Sequence, residues 1–232
     1  MNVLAIDTSN QPLSVAVLAD GVLAAELTLN MKRNHSIQLM PAIQYVMGQA
    51  ELKPADLNQI AVAEGPGSYT GLRIGMSTAK SMAWSLNIPI VGLSSLKLLA
   101  AQVTDVDTFI SPFFDARRGN VYTGLYKRTS EGLETIEADH NGTMQDWLDQ
   151  LSNINQPVIF TSSTRHDFTG MIRETLGDQA RFVDSMVQYP KASMLGYLAL
   201  YEEPIPVHSL APQYHRMVEA EAKWLEKQEK GR

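Results

Sequence analysis

The feature that most restricts how this chain can fold is an order of elements that occurs twice. Val3-Leu4-Ala5-Ile6 is a short apolar run that stops at Asp7-Thr8-Ser9. Leu13 to Ala19 is a second run, Asp20-Gly21 is a hairpin signal, and Val22 to Leu29 returns as a third strand. A helical series follows, with Ile37, Met40, Ile43, Val46/Met47 and Ala50 on one face and Pro41 near its first turns. Then come a strand at residues 60–64, a helix to Leu86, a strand at Ile90-Val91, and a helix from Ser94 to Val103 with Ser94 as its N-cap. The next hundred residues repeat the order. Phe109 to Phe114 is a strand ending at Asp115, and Val121 to Tyr126 and Leu133 to Glu137 complete a second meander. Gln145 to Leu151 reads as helix, Val158-Ile159-Phe160 as strand, Phe168 to Leu176 as helix, Arg181-Phe182-Val183 as a short strand, and Met194 to Tyr201 as helix. A meander followed by alternating helix and strand, present twice, predicts an α/β chain of two related lobes with a cleft between them. The expected boundaries are a first lobe over residues 1–104, a smaller second lobe over 105–205, and a C-terminal segment over 206–232 whose charged helix packs back on the first lobe.

Within the first lobe, strand and helix are joined by Gly65-Pro66-Gly67-Ser68-Tyr69-Thr70-Gly71-Leu72-Arg73-Ile74-Gly75. Leu72, Met76, Ala79, Met82/Ala83 and Leu86 form an apolar face. Gly67, Gly71, Gly75, Ala79 and Ala83 recur every four residues along one ridge. Glycine in a helix costs roughly 0.5–1 kcal/mol relative to alanine, so the ridge predicts close approach of another backbone or a ligand. If Leu72, Met76 and Leu86 face the sheet, then Ile74, Ser77, Ser81 and Trp84 lie on a different side. An exposed Ile and Trp beside small residues suits a helix–helix contact with another subunit. The alternative is that Trp84 is covered by the chain's own loops.

Composition narrows the function. The 232 residues include 19 Lys+Arg against 25 Asp+Glu, a net charge of −6, and the basic residues fall in small pairs such as Lys32-Arg33 and Arg117-Arg118. Strong direct binding to nucleic acid, which needs a basic face, is not expected. Met1 to Ala19 lacks the positive start of a secretion signal, and no apolar run approaches the ~20 residues of a membrane span. The absence of cysteine excludes disulfides and thiolate chemistry and fits a reducing, cytoplasmic setting.

Few residues offer chemistry. Asp7-Thr8-Ser9 and Asp115-Ala116-Arg117-Arg118-Gly119 end corresponding strands, where two-lobed proteins of this construction place aspartates that face nucleotide phosphate or metal. Nucleotide-binding versions have a glycine where this chain has Ser9, so Asp7 reads equally as a cap for the Thr8 and Ser9 amides. The glycine turn is neither a P-loop nor a dinucleotide fingerprint, nor is Ser68 a nucleophile elbow. Gly65, Gly67 and Ser68 at the helix start, with Arg73, could still contact an anion, as could Asp7, Thr8, Ser9, Asp115 and Arg117 across the cleft. The five histidines (His35, His140, His166, His208, His215) show no pair at ligand spacing, so no metal site is expected.

Several stretches together resemble the bacterial TsaB (YeaZ) family from end to end. They are Leu4-Ala5-Ile6-Asp7-Thr8-Ser9, His35-Ser36 through Leu39-Met40-Pro41, the glycine stretch Gly65 to Gly75, Asp115-Ala116-Arg117-Arg118-Gly119-Asn120-Val121-Tyr122, and the tail around Pro212 to Trp224. The resemblance implies an ASKHA fold (the acetate kinase, Hsp70 and actin class). It also implies a place in the machinery that makes threonylcarbamoyladenosine on tRNA, beside the anticodon. In that family the transfer is catalysed by a sister subunit, TsaD, which carries a His-x-x-x-His metal motif. The corresponding region here, Val91-Gly92-Leu93-Ser94-Ser95-Leu96-Lys97-Leu98-Leu99, has no histidine, which points to a non-catalytic partner.

The leading expectation is therefore a subunit that pairs with a TsaD-type protein and forms a homodimer when alone. The contact would run through Leu39, Met40, Ile43 and Met47 on the first helix and Ile74, Ser77, Ser81 and Trp84 on the second. A TsaE-type P-loop ATPase is a further expected partner. No cofactor of its own is expected, with ATP or ADP admitted only at a subunit interface. The competing readings are an ASKHA-type ATPase or kinase working in its own cleft, and a small metallopeptidase.

Overall fold

The computed structural model describes residues 1–31, 34–163, 167–183 and 189–214. Lys32-Arg33, His166, His215 and the charged tail around Glu219 to Glu226, with Met217 and Trp224, lie outside them.

The first sheet holds β1 (Val3–Asp7), β2 (Leu13–Ala19), β3 (Val22–Leu29), β4 (Gln59–Gly65) and β5 (Ile90–Ser94), in the order β3-β2-β1-β4-β5. The second holds β6 (Thr108–Arg117), β7 (Asn120–Arg128), β8 (Leu133–Thr143), β9 (Val158–Thr161) and β10 (Ala180–Phe182), in the order β10-β9-β6-β7-β8. Read from the meander edge, the two orders coincide. In each sheet the meander strands are antiparallel, and the later strands join the first of the meander in parallel. The duplicated two-lobed α/β architecture expected from the sequence is present.

Among the described residues six α-helices cover the sheets: α1 (His35–Gln49), α2 (Tyr69–Leu86), α3 (Ser95–Ala101), α4 (Met144–Ser152), α5 (Thr169–Leu176) and α6 (Ala192–Ala199). Strand β1 is buried on both faces, and its alternation divides the core. Leu4 and Ile6 meet α1 and α2, while Val3 and Ala5 meet Ala192, Leu195 and Ala199 of α6. In the second sheet Phe113 and Val121 pack under α4 and α5, while Ile110, Phe114 and Tyr126 pack under Leu96, Leu99 and Ala100 of α3.

Two helices join the lobes: α6, from the second hundred residues, lies on the first sheet, and α3 sits at the seam, with Leu96, Leu99 and Ala100 against the second sheet and Leu98 in the core of the first. Small residues and polar ties seat α6: Gly196 lies against Leu18 and Ala5, Ala192 N donates to Ser14 Oγ at 2.9 Å, and Ser193 N and Oγ donate to Glu26 Oε1 at 2.8 Å. A strap over residues 205–214 then returns to the first lobe. Ile205 N donates to Ile90 O at 3.1 Å, Lys80 Nζ to Leu210 O at 2.6 Å, and Gln213 N to Glu64 O at 2.7 Å.

Strand β8 runs six residues beyond the predicted Leu133–Glu137. The pairing of β7 with β8 shifts register around Leu125, and this realigns His140 to Thr143 with residues 120–123 of β7. The added residues, Ala138-Asp139-His140-Asn141-Gly142-Thr143, have little strand propensity and are held by the ladder.

Candidate docking face and strand-end loops

The small ridge of α2 is used inside the chain. A Cβ at Gly67 would collide with the Ser9 carbonyl oxygen, one at Gly71 with the Thr8 carbonyl oxygen, and one at Gly75 with Thr8 Oγ1. Ala79 and Ala83 continue the ridge into the core. The close approach predicted from these residues is real, but the neighbouring backbone is the β1–β2 loop rather than a ligand or a second subunit. That loop is tied to the helix as well as packed on it. Thr8 Oγ1 donates to Gly71 O at 2.7 Å and Ser68 N donates to Ser9 O at 2.6 Å. Ser68 also caps α2, its Oγ accepting from Gly71 N at 3.3 Å.

The two strand-end aspartates do the same local work. Asp7 Oδ1 accepts from Ser9 N at 2.8 Å, and Asp115 Oδ1 accepts from Arg117 N at 2.7 Å. The capping reading of Asp7 thus describes its geometry. Asp7, Thr8 and Ser9 are all buried, and burial pushes the Asp7 carboxyl above its ordinary value, against the Ser9 hydrogen bonds and the nearby His35 ring, which pull it down. Asp7 Oδ2 and His35 Nδ1 are buried without a hydrogen-bond partner, while His35 Nε2 lies 2.8 Å from Asn10 O. Of the residues expected to contact an anion, Thr8, Ser9, Gly67 and Ser68 are packed against one another. Gly65, at φ +122°, is closed off by the Gln213 carbonyl oxygen, which would stand 2.6 Å from a Cβ there. Arg73 is drawn elsewhere: its guanidinium lies 4.0 Å from the Tyr69 ring centre, and its Nε donates to Tyr214 OH at 3.0 Å. Asp115 and Arg117 stand at the end of β6 in the second sheet. Among the described residues, no three His, Asp or Glu side chains gather where they could hold a metal ion.

The outer face of α1 and α2 is a different surface. Trp84 is 75% exposed, Ile37 72% and Met40 45%; the chain's own loops do not cover Trp84. Two adjoining grooves of about 520 Å³ run between the helices and share Met40, Ser77 and Thr78. Ser77 and Ser81 are exposed along them, whereas Ile74 is half-buried and packs on the core. Leu39, Ile43 and Met47 need correcting: they are 1%, 3% and 5% exposed and belong to the first lobe's core, so they are not available to a partner. The better-fitting series in α1 is Leu39, Ala42/Ile43 and Val46/Met47 inward, which leaves Ile37, Met40 and Tyr45 outward. Ile37, Tyr45 and Tyr69, absent from the expected interface, are all exposed.

Residues 23–224 match the family model described as "TsaD: tRNA N6-adenosine threonylcarbamoyltransferase". The Bacillus subtilis protein named tRNA threonylcarbamoyladenosine biosynthesis protein TsaB is 45% identical over 229 residues, covering 98% of this chain and all of its own. The chain belongs to the TsaB family. The Escherichia coli TsaB is 35% identical over 135 residues, 57% of this chain and 58% of its own length. Among solved structures, YeaZ from Pseudomonas aeruginosa superimposes with a TM-score of 0.74 at 22% identity, over 92% of this chain and 99% of its own. A ROK hexokinase from Thermus thermophilus aligns with a TM-score of 0.50 at 9% identity, over 87% of this chain and all of its own, a likeness of fold alone. In this TsaB-family chain the strand-end aspartates of that fold bind their own backbone, and the glycine ridge seats the helix that carries the exposed face. Among the described residues no helix is long and apolar enough to cross a membrane.

Proposed function

We propose that this chain is a non-catalytic subunit of the cytoplasmic machinery that places a threonylcarbamoyl group on N6 of the adenosine next to the tRNA anticodon. It supports a TsaD-type catalytic subunit through the outer face of α1 and α2. The observation that carries the pathway is the 45% identity over nearly the whole chain to a protein named for that biosynthesis. The supporting-subunit reading rests on Met40 exposed in two grooves between the helices, with Ile37 and Trp84 exposed on the same two helices, and on a Val91 to Leu99 stretch without histidine. Exposed large apolar groups of this kind are the usual core of a protein–protein contact. The same face would join two copies when the chain is alone. A TsaE-type P-loop ATPase is a further partner in this reading, with ATP or ADP at a subunit interface rather than in this chain's own cleft.

Depletion of the protein should lower threonylcarbamoyladenosine in total tRNA; unchanged modification would overturn the pathway assignment. The family model bears a transferase's description, so a catalytic role is the second reading. Calorimetry and turnover assays with MgATP on the isolated chain separate the two, and tight binding with turnover would favour the second.

A further inference from the structure

The docking face is almost free of charge. The 15 residues of α1 and the 18 of α2 include no Asp or Glu, in a chain that holds 25 of them. Helix α2 carries Arg73 and Lys80. Lys80 is engaged under the strap, its Nζ donating to Leu210 O at 2.6 Å and to His208 O at 3.4 Å. Arg73 stands in the wall of the first groove, with Tyr69 and Met40. The walls of both grooves otherwise consist of apolar and hydroxyl side chains, and depletion of charge marks the centre of a protein–protein contact.

Arg73 is held but not paired. Its guanidinium carbon lies 4.0 Å from the Tyr69 ring centre and 6.0 Å from that of Tyr214, and the two ring centres are 5.1 Å apart. Its Nε donates to Tyr214 OH at 3.0 Å. One ring belongs to the first turn of α2 and the other to the end of the strap, so two elements fix the guanidinium. Stacking occupies its face and the phenol takes Nε. Both Nη groups, the outer fork, have no acceptor among the described residues. A fixed planar fork matches a carboxylate through two parallel N–H···O bonds, and little side-chain freedom is left to lose on binding.

We propose that Arg73 selects the partner at this face: it receives a carboxylate from an apolar helix of the catalytic subunit and discriminates against a second copy of this chain. The inference rests on the docking reading given above. A helix laid along the grooves would set its apolar side on Met40 and the hydroxyl-lined walls, and an Asp or Glu beside the first turns of α2 would meet the fork. Leaving Arg73 unanswered there is unfavourable, because a covered guanidinium without a partner loses its hydration and gains nothing in return. Two copies pressed groove to groove create that situation, since the groove walls of neither copy hold a carboxylate. Attraction to one partner and an unmet charge against the other together give specificity.

The test uses the full chain, the TsaD-type subunit of the same organism as probe, and the variants Arg73→Met, Arg73→Lys and Trp84→Glu. Calorimetry reads the affinity for the probe, sedimentation equilibrium reads self-association, and urea unfolding checks that each variant folds. Arg73→Met keeps the apolar stem and should weaken probe binding at least about tenfold, with self-association unchanged or tighter. Arg73→Lys, which keeps the charge without the fork, should recover only part of the loss. One Asp or Glu of the probe, changed to Asn or Gln, should reproduce the loss and add little to it in the Arg73→Met background. Undiminished probe binding in Arg73→Met, an equal loss in both associations, or additive effects of every probe carboxylate overturns the selection. Trp84→Glu keeps the two readings apart. If it weakens probe binding and Arg73→Met does not, the docking face stands and the carboxylate contact falls; if neither variant has an effect, the docking face itself is wrong.

Discussion

The Thr8 hydroxyl donates to the Gly71 carbonyl across 2.7 Å, joining the end of β1 to the first turn of the helix whose far side carries Trp84. Packing here tolerates no side chain on the helix. Gly71→Ala should destabilise the protein by about 1–3 kcal/mol, because overpacking against the Thr8 backbone outweighs the better helix propensity of alanine. Gly48→Ala in α1, where a Cβ meets nothing within 4 Å, should instead stabilise by about 0.5–1 kcal/mol. Urea unfolding of the two variants checks the contrast; equal effects would mean that the ridge is not in close contact.

Trp84→Glu should leave the unfolding midpoint near that of the native chain while weakening self-association and capture of a TsaD-type partner. Leu39→Ala, in the adjacent helix but fully inside the core, should cost about 2–5 kcal/mol. Size-exclusion elution, pull-down and thermal unfolding separate the two behaviours. Unchanged association in Trp84→Glu would remove the helix face from the docking reading.

The buried Asp7 carboxyl titrates above its ordinary value of 3.8. The folded chain thus holds this proton more tightly than the unfolded one, and its contribution to stability falls as pH rises from 3.8 through the raised value. Asp7→Asn keeps an acceptor for Ser9 N and removes the charge. Its melting temperature at neutral pH should equal or exceed that of the native chain, with a flatter pH profile. A lower one would show that the folded protein depends on the carboxylate.

Arg128 secures the end of α3. Its Nη2 donates to Ala101 O at 2.6 Å and its Nε to Val103 O at 3.1 Å. Arg128→Ala strands both carbonyls and should destabilise by about 1–3 kcal/mol, read as a shift in the urea midpoint. No shift would indicate that water replaces the guanidinium there.

Most of the strand and helix order was legible because local pattern and tertiary demand agree. Asp20-Gly21 closes the β2–β3 hairpin, and Ser94 caps α3 as its position suggests. The placement of α6 on the first sheet was not legible, since sequence order says which element comes next but not which sheet it covers. The α1 face was misread for a related reason: Ile37 and Met40 fit an apolar stripe by spacing alone, and only the alternative series through Leu39 and Ala42 reaches the sheet. The small ridge was recognised as a close contact, but nothing in its repeat names the partner.

The return of α6 to the first sheet also bears on how the chain is made. The face of the first sheet formed by Val3, Ala5, Ala16, Leu18, Ala61 and Val91 is closed by Ala192, Leu195 and Ala199. A nascent chain emerging from the ribosome can complete its first meander early, yet apart from Leu98 that face waits for α6, which follows the whole second sheet. The first sheet cannot be finished by residues contiguous with it, so a fragment ending after β5 would lack the wall that α6 supplies.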